Sequence, residues 1–311
     1  MEEEWCPDAP ARPDGQQRGR AHGQLHGALI TLLGGTCWGF SGTMASLLFG
    51  SYGVDPIWLL SVRQICAGLL FLVYNLLVFP TEMRGVWTCP ADRRLLLAFA
   101  FVGLLPSMLL YLVCVQMTNA GTATVLQCLQ LVIIMVVTCI RVRRAPMARE
   151  LAGVGFALVG TYLIATGGDP TTLSMPALAL VAGLVCAATT AAMSLLPARL
   201  LPVYGSSVVT GSAMLVCGVA TTIAVRPWSC APTLDAFGWF VLAGFIVVGT
   251  FFAFLFYLQG VREIGGMKAS LLGTVEPVVA TVLAVVVLNT VFAPTDILGF
   301  ALIIAMVFLT V

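Results

Sequence analysis

Ten unbroken runs of apolar residues decide most of what this chain can become. Residues 27–49, 55–79, 95–117, 120–140, 150–167, 176–196, 205–225, 236–258, 268–290 and 294–311 carry almost no charge. Each has the length, roughly 18 residues or more, that lets an α-helix cross a bilayer core of about 30 Å. Inside that core no water can satisfy a backbone N–H or C=O, so a lone crossing segment must pair its own backbone as a helix. An outer-membrane barrel would alternate apolar and polar residues, and these runs do not alternate. Charged residues make up 9% of the 311, against about 25% in a soluble domain. The fold class expected is an all-α membrane protein with ten transmembrane helices.

The few charges are placed with a bias. With the N-terminus set in the cytoplasm and sides alternating, the inner segments hold thirteen Arg and Lys residues, from Arg12 to Lys268. The outer loops hold Arg226 alone. That asymmetry predicts that both termini are cytoplasmic. Trp58, Trp228 and Trp239 fall near outer helix ends, where an aromatic belt sits. Residues 1–26 are charged, rich in Pro and Gly, and lack an apolar h-region, which predicts a disordered tail rather than a cleaved signal. Seven cysteines (37, 66, 114, 128, 139, 186 and 217) lie within the apolar runs and read as small fillers. No CxxC occurs, so no metal and no cofactor is expected.

An internal repeat organises the runs. Shifted by 146 residues without gaps, 95–165 overlays 241–311: Phe99 meets Phe245, Tyr111-Leu112 meets Tyr257-Leu258, and Gly153 meets Gly299. The two units are 27–168 and 176–311, five runs each. An odd number of crossings inverts the second unit relative to the first. Inverted repeats are the signature of secondary transporters, whose sites lie where the halves meet.

Two charges fall well inside the runs: Arg63 and Glu276. A charge at the centre of a bilayer costs about 2.5–3.5 kcal/mol on insertion scales, so such residues face function by default. Arg63 lies eight residues past Asp55, and Glu276 eight past Lys268. Each is therefore ~12 Å from its own side, close enough in depth for a pair. Under the shift Glu276 corresponds to Gln130, and Gln127 shares a helical face with Gln130. Pro277 is expected to kink its helix and free a carbonyl. Trp38 and the repeat partners Tyr111 and Tyr257 complete the candidate pathway. Gly35 and Gly39 stand in a GxxxG spacing that permits close helix contact.

WGFSGT in the first run, the arginine in SVRQICAGLL, and GGMKASLLGTVEPVVATVLAVVVL followed by ILGFALI resemble EamA-type members of the drug/metabolite transporter superfamily. The resemblance spans about 27–311, and TVEPV is its most specific piece. It implies two inverted five-helix EamA repeats, and a bacterial cytoplasmic-membrane permease that exports or exchanges metabolites, amino acids or drugs. It points to Trp38, Gly39, Arg63, Glu276 and Pro277. The chain departs from the family pattern at Leu131, where many relatives have proline, and at Asn289-Thr290, where an acidic residue is common. The expected partners are a small-molecule substrate and membrane lipid, with no nucleic acid, in a monomer or homodimer. A lipid or lipid-linked sugar flippase is the alternative, and a non-transporting membrane protein a more distant one. An intramembrane enzyme would want a His, paired carboxylates or a Ser/Lys dyad at depth, and none is present.

Overall fold

The computed structural model describes residues 20–169, 173–265, 269 and 272–310. Most of the expected tail therefore lies outside the described residues, and the first helix already begins at Arg20. The elements are α1 Arg20–Tyr52, α2 Pro56–Val78, α3 Pro80–Thr88, α4 Pro90–Met117, α5 Ala120–Val142 and α6 Ala148–Thr166. They continue as α7 Ala177–Tyr204, α8 Ser206–Val225, α9 Ala236–Ile264, α10 Val275–Leu288 and α11 Pro294–Thr310. No strand occurs among the described residues.

Seven of these helices, α2 and α4 to α9, are long and apolar enough to cross a membrane, while α10 and α11 are shorter apolar helices. Helix α1 has 33 residues, yet its many Gly, Ser and Thr residues dilute its hydropathy. The ten expected spans thus differ in strength. Helix starts follow local chemistry. Asp55 caps α2 by accepting from the N–H groups of Ile57 and Trp58, with Pro56 in the first turn where its missing donor costs nothing. Asn119 caps α5 and Asp235 caps α9 in the same way.

The 146-residue register recurs in the backbone. Helices α4 and α9 start at Pro90 and Ala236 (236 − 90 = 146), and α6 and α11 at Ala148 and Pro294 (294 − 148 = 146). The left-handed residues that end α5 and α10 are Arg143 and Asn289, again 146 apart. Packing follows the same pairing. Helix α2 lies on α8, and α6 on α11, while α1 against α9 mirrors α7 against α4. Where α6 crosses α11, a Cβ on Gly160 would stand 2.8 Å from the Gly299 carbonyl oxygen, so the backbones touch.

Polar contacts at the helix ends fix direction. At one end the Tyr52 hydroxyl donates to Asp235 at 2.5 Å, joining the C-terminus of α1 to the N-terminus of α9. At the other end His26 of α1 pairs with Glu263 of α9 at 2.8 Å. Tyr204, closing α7, donates to Asp92 in the first turn of α4 at 2.7 Å, and Arg262 stacks on Phe79 below α2. Helix α4 thus runs up from the end where its repeat partner α9 finishes, and the two are antiparallel.

One expectation shifts. Trp228 and Trp239 are exposed, but Trp58 is buried and donates its indole N–H to the Pro227 carbonyl at 2.9 Å, tying α2 to α8. The seven helix cysteines are free and at least half-buried, as small fillers would be.

Candidate functional site

Glu276 sits where it does because α10 begins there. The preceding segment ends in a turn at Thr274, and Val275–Leu288 starts a new helix with Glu276 in its first turn. A first-turn carboxylate meets the positive end of the helix dipole. Pro277 is in that first turn too, so it kinks nothing: the N–H it lacks would have had no helical partner. The kink expected from Pro277 is replaced by the turn before it. The counterpart in α5 is a tightened turn at Cys128 and Leu129, after which Gln130 opens the next helical piece. Cys128 and Thr274 are again 146 apart. Such tightened turns inside a long helix often mark functional sites.

Helix α1 supports this arrangement with its small face. A Cβ on Gly39 would lie 2.8 Å from the Glu276 carbonyl oxygen, and one on Gly35 would lie 2.7 Å from Val275. The GxxxG spacing therefore seats α1 on the first turn of α10. Between them, one position round, Trp38 meets Phe254 edge-on at 4.9 Å and Tyr257 at 4.8 Å.

These groups surround a cavity of about 200 Å³ in the middle of the bundle. Three repeat-related pairs line it: Met108 with Phe254, Tyr111 with Tyr257, and Gln130 with Glu276. It therefore straddles the relation between the halves. A second space of about 120 Å³ adjoins it between the two tightened turns, lined by Cys128, Thr274 and Pro277 among others. Of the eight residues singled out in the sequence, Trp38, Arg63, Tyr111, Gln127, Gln130, Tyr257 and Glu276 line the first cavity, and Pro277 lines the second.

Depth left a pair between Arg63 and Glu276 open, and among the described residues no ion pair joins them. Arg63 is 3% exposed and donates from Nε to the Thr250 hydroxyl at 2.9 Å, with its guanidinium 4.8 Å over the Phe245 ring. Thr250 belongs to a π-helical stretch, Val247–Phe252, in α9 and donates five residues back to the Phe245 carbonyl at 3.0 Å. A second π stretch, Phe99–Leu104, occupies α4. On the opposite wall Gln127 donates to Thr190 at 3.2 Å, and Thr190 is bonded to Ser107 at 2.8 Å. Sequence reasoning did not find Ser107, Thr190 or Thr250. A threonine or serine in an apolar run usually bonds its own helix, and nothing in the spacing separates these from the rest.

The fold is a helical bundle with seven helices apolar enough to cross a membrane, around a chamber lined by Arg63, Glu276, two amides and several hydroxyls. The EamA-like transporter family matches residues 25–166 and again 173–311, and the chain belongs to that family. It is 32% identical over 286 residues to an uncharacterized inner membrane transporter, YicL, of Salmonella typhimurium, covering 91% of this chain and 94% of that protein. A solved crystal structure superposes over 94% of this chain and 96% of its own, with a TM-score of 0.63 at 15% identity, a likeness of fold.

Proposed function

We propose that this protein is a secondary active transporter of small metabolites, amino acids or drug-like molecules. In this reading ten helices cross a bacterial cytoplasmic membrane, with both termini inside. The two five-helix halves relate through an axis in the membrane plane, and alternating access moves solute outward or in exchange. Glu276 carries the coupling proton. The observation that supports this most is the cavity of about 200 Å³ astride the repeat, holding the carboxylate of Glu276 and the guanidinium of Arg63.

A carboxyl exposed to water on one side and then sealed among apolar groups changes its affinity for protons. A carrier that rocks between two such states can exchange a proton for solute. The grouping of ends supports the topology: Arg84, Arg93, Arg94, Arg199 and Arg262 fall at the His26–Glu263 end, as a cytoplasmic face would require.

The deciding experiment reconstitutes wild type and Glu276→Gln in proteoliposomes and screens metabolites for uptake and efflux under an imposed pH gradient. Wild type moves at least one solute in a gradient-dependent way, and Glu276→Gln does not. Equal rates with the same pH dependence would reduce Glu276 to a structural contact.

A further inference from the structure

Arg63 is held like a tool with its working edge free. The Nε bond to Thr250 and the Phe245 ring fix the guanidinium plane while using one of its five donors. Its Nη1 and Nη2 groups meet no acceptor among the described residues, and Arg63 lines the central cavity. Tyr111 lines the same cavity, is 8% exposed, and its hydroxyl, buried against Gly42 of α1, has no hydrogen-bond partner among the described residues. The Ser41 hydroxyl reaches the same cavity from α1.

A buried cation and a buried phenol left unpaired are costly unless something completes them. Two guanidinium donors in a fork match a carboxylate bidentately, and a phenol adds a third donor. Charge narrows the choice. Among the described residues Arg63 is the one cation lining the cavity, and Glu276 lines it too. A phosphate, with about two negative charges at neutral pH, would face one positive group and a carboxyl. With the Glu276 carboxyl protonated the lining carries one positive charge, and a monoanion suits that balance.

We propose that Arg63 and Tyr111 form an oxyanion subsite that binds the carboxylate of a small organic acid. The proposal rests on reading the cavity as the transport site and names the chemistry of what is carried. The volume of about 200 Å³ accommodates a solute of roughly ten non-hydrogen atoms.

The test uses full-length protein in nanodiscs, with the intrinsic fluorescence of the tryptophans, including Trp38 in the cavity, as readout. The probes are aliphatic and aryl monocarboxylates of up to roughly ten non-hydrogen atoms, each paired with its own carboxamide. At least one carboxylate binds wild type while its amide binds far more weakly. Arg63→Gln weakens that carboxylate by roughly a hundredfold or more, and Tyr111→Phe by roughly tenfold. Tyr111→Phe removes a hydroxyl with no intramolecular partner, so it serves even where Arg63→Gln fails to fold. Amides binding as well as their acids, no carboxylate binding at all, or full affinity in Tyr111→Phe would each overturn the subsite. If the acids bind through Arg63 but proteoliposomes carry none of them, the subsite stands and the transport reading fails. If solutes move but ignore Arg63 and Tyr111, the reverse holds.

Discussion

The two halves share a backbone and differ in chemistry. The turn within α5 at Cys128 and the turn before α10 at Thr274 stand 146 residues apart, and two residues past each a polar side chain reaches the central cavity. One half presents Gln130, followed by Leu131, and the other presents Glu276, followed by Pro277. The hydroxyl of Ser107 faces the cavity on one side, where its counterpart, Ala253, has none. Helix α9 starts with the side-chain cap Asp235, while its partner α4 starts after Cys89 with no side-chain cap. Repetition builds the frame, and departures from repetition build the site. A cavity lined by two identical halves would place like charges face to face, which a low-dielectric chamber penalises.

Four experiments bear on that contrast. The largest effect is expected at the unequal pair. Glu276→Gln makes the two positions alike and should reduce gradient-driven flux to the leak level. Adding Gln130→Glu moves the carboxylate to the other half and should not restore it; recovery of flux would mean that either half can carry the charge. Next comes the frame itself. A Cβ on Gly218 would lie 2.6 Å from the backbone of Ile65 where α8 crosses α2, so Gly218→Ala should cost about 1–3 kcal/mol in unfolding assays. Gly50 has nothing within 4 Å, and its alanine variant should unfold like wild type. A smaller effect is expected from Ser107→Ala, which erases one departure and breaks the bond to Thr190. Interhelical hydrogen bonds within membranes average about 0.6 kcal/mol, so a loss well above 2 kcal/mol would mean that Ser107 holds more than one helix contact.

The smallest effect concerns the unequal caps. The Tyr52 phenol and the Gly238 amide donate to Asp235 and hold its carboxyl below the usual carboxylate range. A carboxyl depressed on folding stabilises above its unfolded value and loses that contribution as pH falls through the folded value. The link between α1 and α9 should therefore persist through mildly acidic pH and release only in stronger acid. Hydrogen exchange at the start of α9 would follow this, and Asp235→Ala should fray it at neutral pH. Equal protection in both proteins would assign the cap no role.

Much of this was legible from residue order. Apolar runs specify crossing helices because hydrocarbon leaves a lone segment no other way to satisfy its backbone. The gapless register of the sequence recurs in the helix starts and ends, although the residues that stand there differ. The eight candidate residues converge on adjoining cavities because charge and amide at depth have few places to go. What escaped was rotation. Depth along a helix follows from counting, but which way Arg63 turns depends on what packs behind it. Thr250 was its partner, not Glu276. Pro277 misled for a related reason: a proline reads as a kink until a turn three residues earlier makes it part of a helix start.

The π stretch in α9 has a consequence for how the chain could be altered. A π turn is a helix carrying one residue more than its α-helical path requires. Removing one residue between Val247 and Phe252 would leave a continuous helix of almost the same length. Everything beyond it would keep its face, with Phe254 and Tyr257 still on the cavity wall, because the wide turn already absorbs the extra residue; what would be lost is the widening that sets Thr250 as the acceptor for Arg63. That stretch works as a local widening that aims one hydroxyl at Arg63 without turning the rest of the helix.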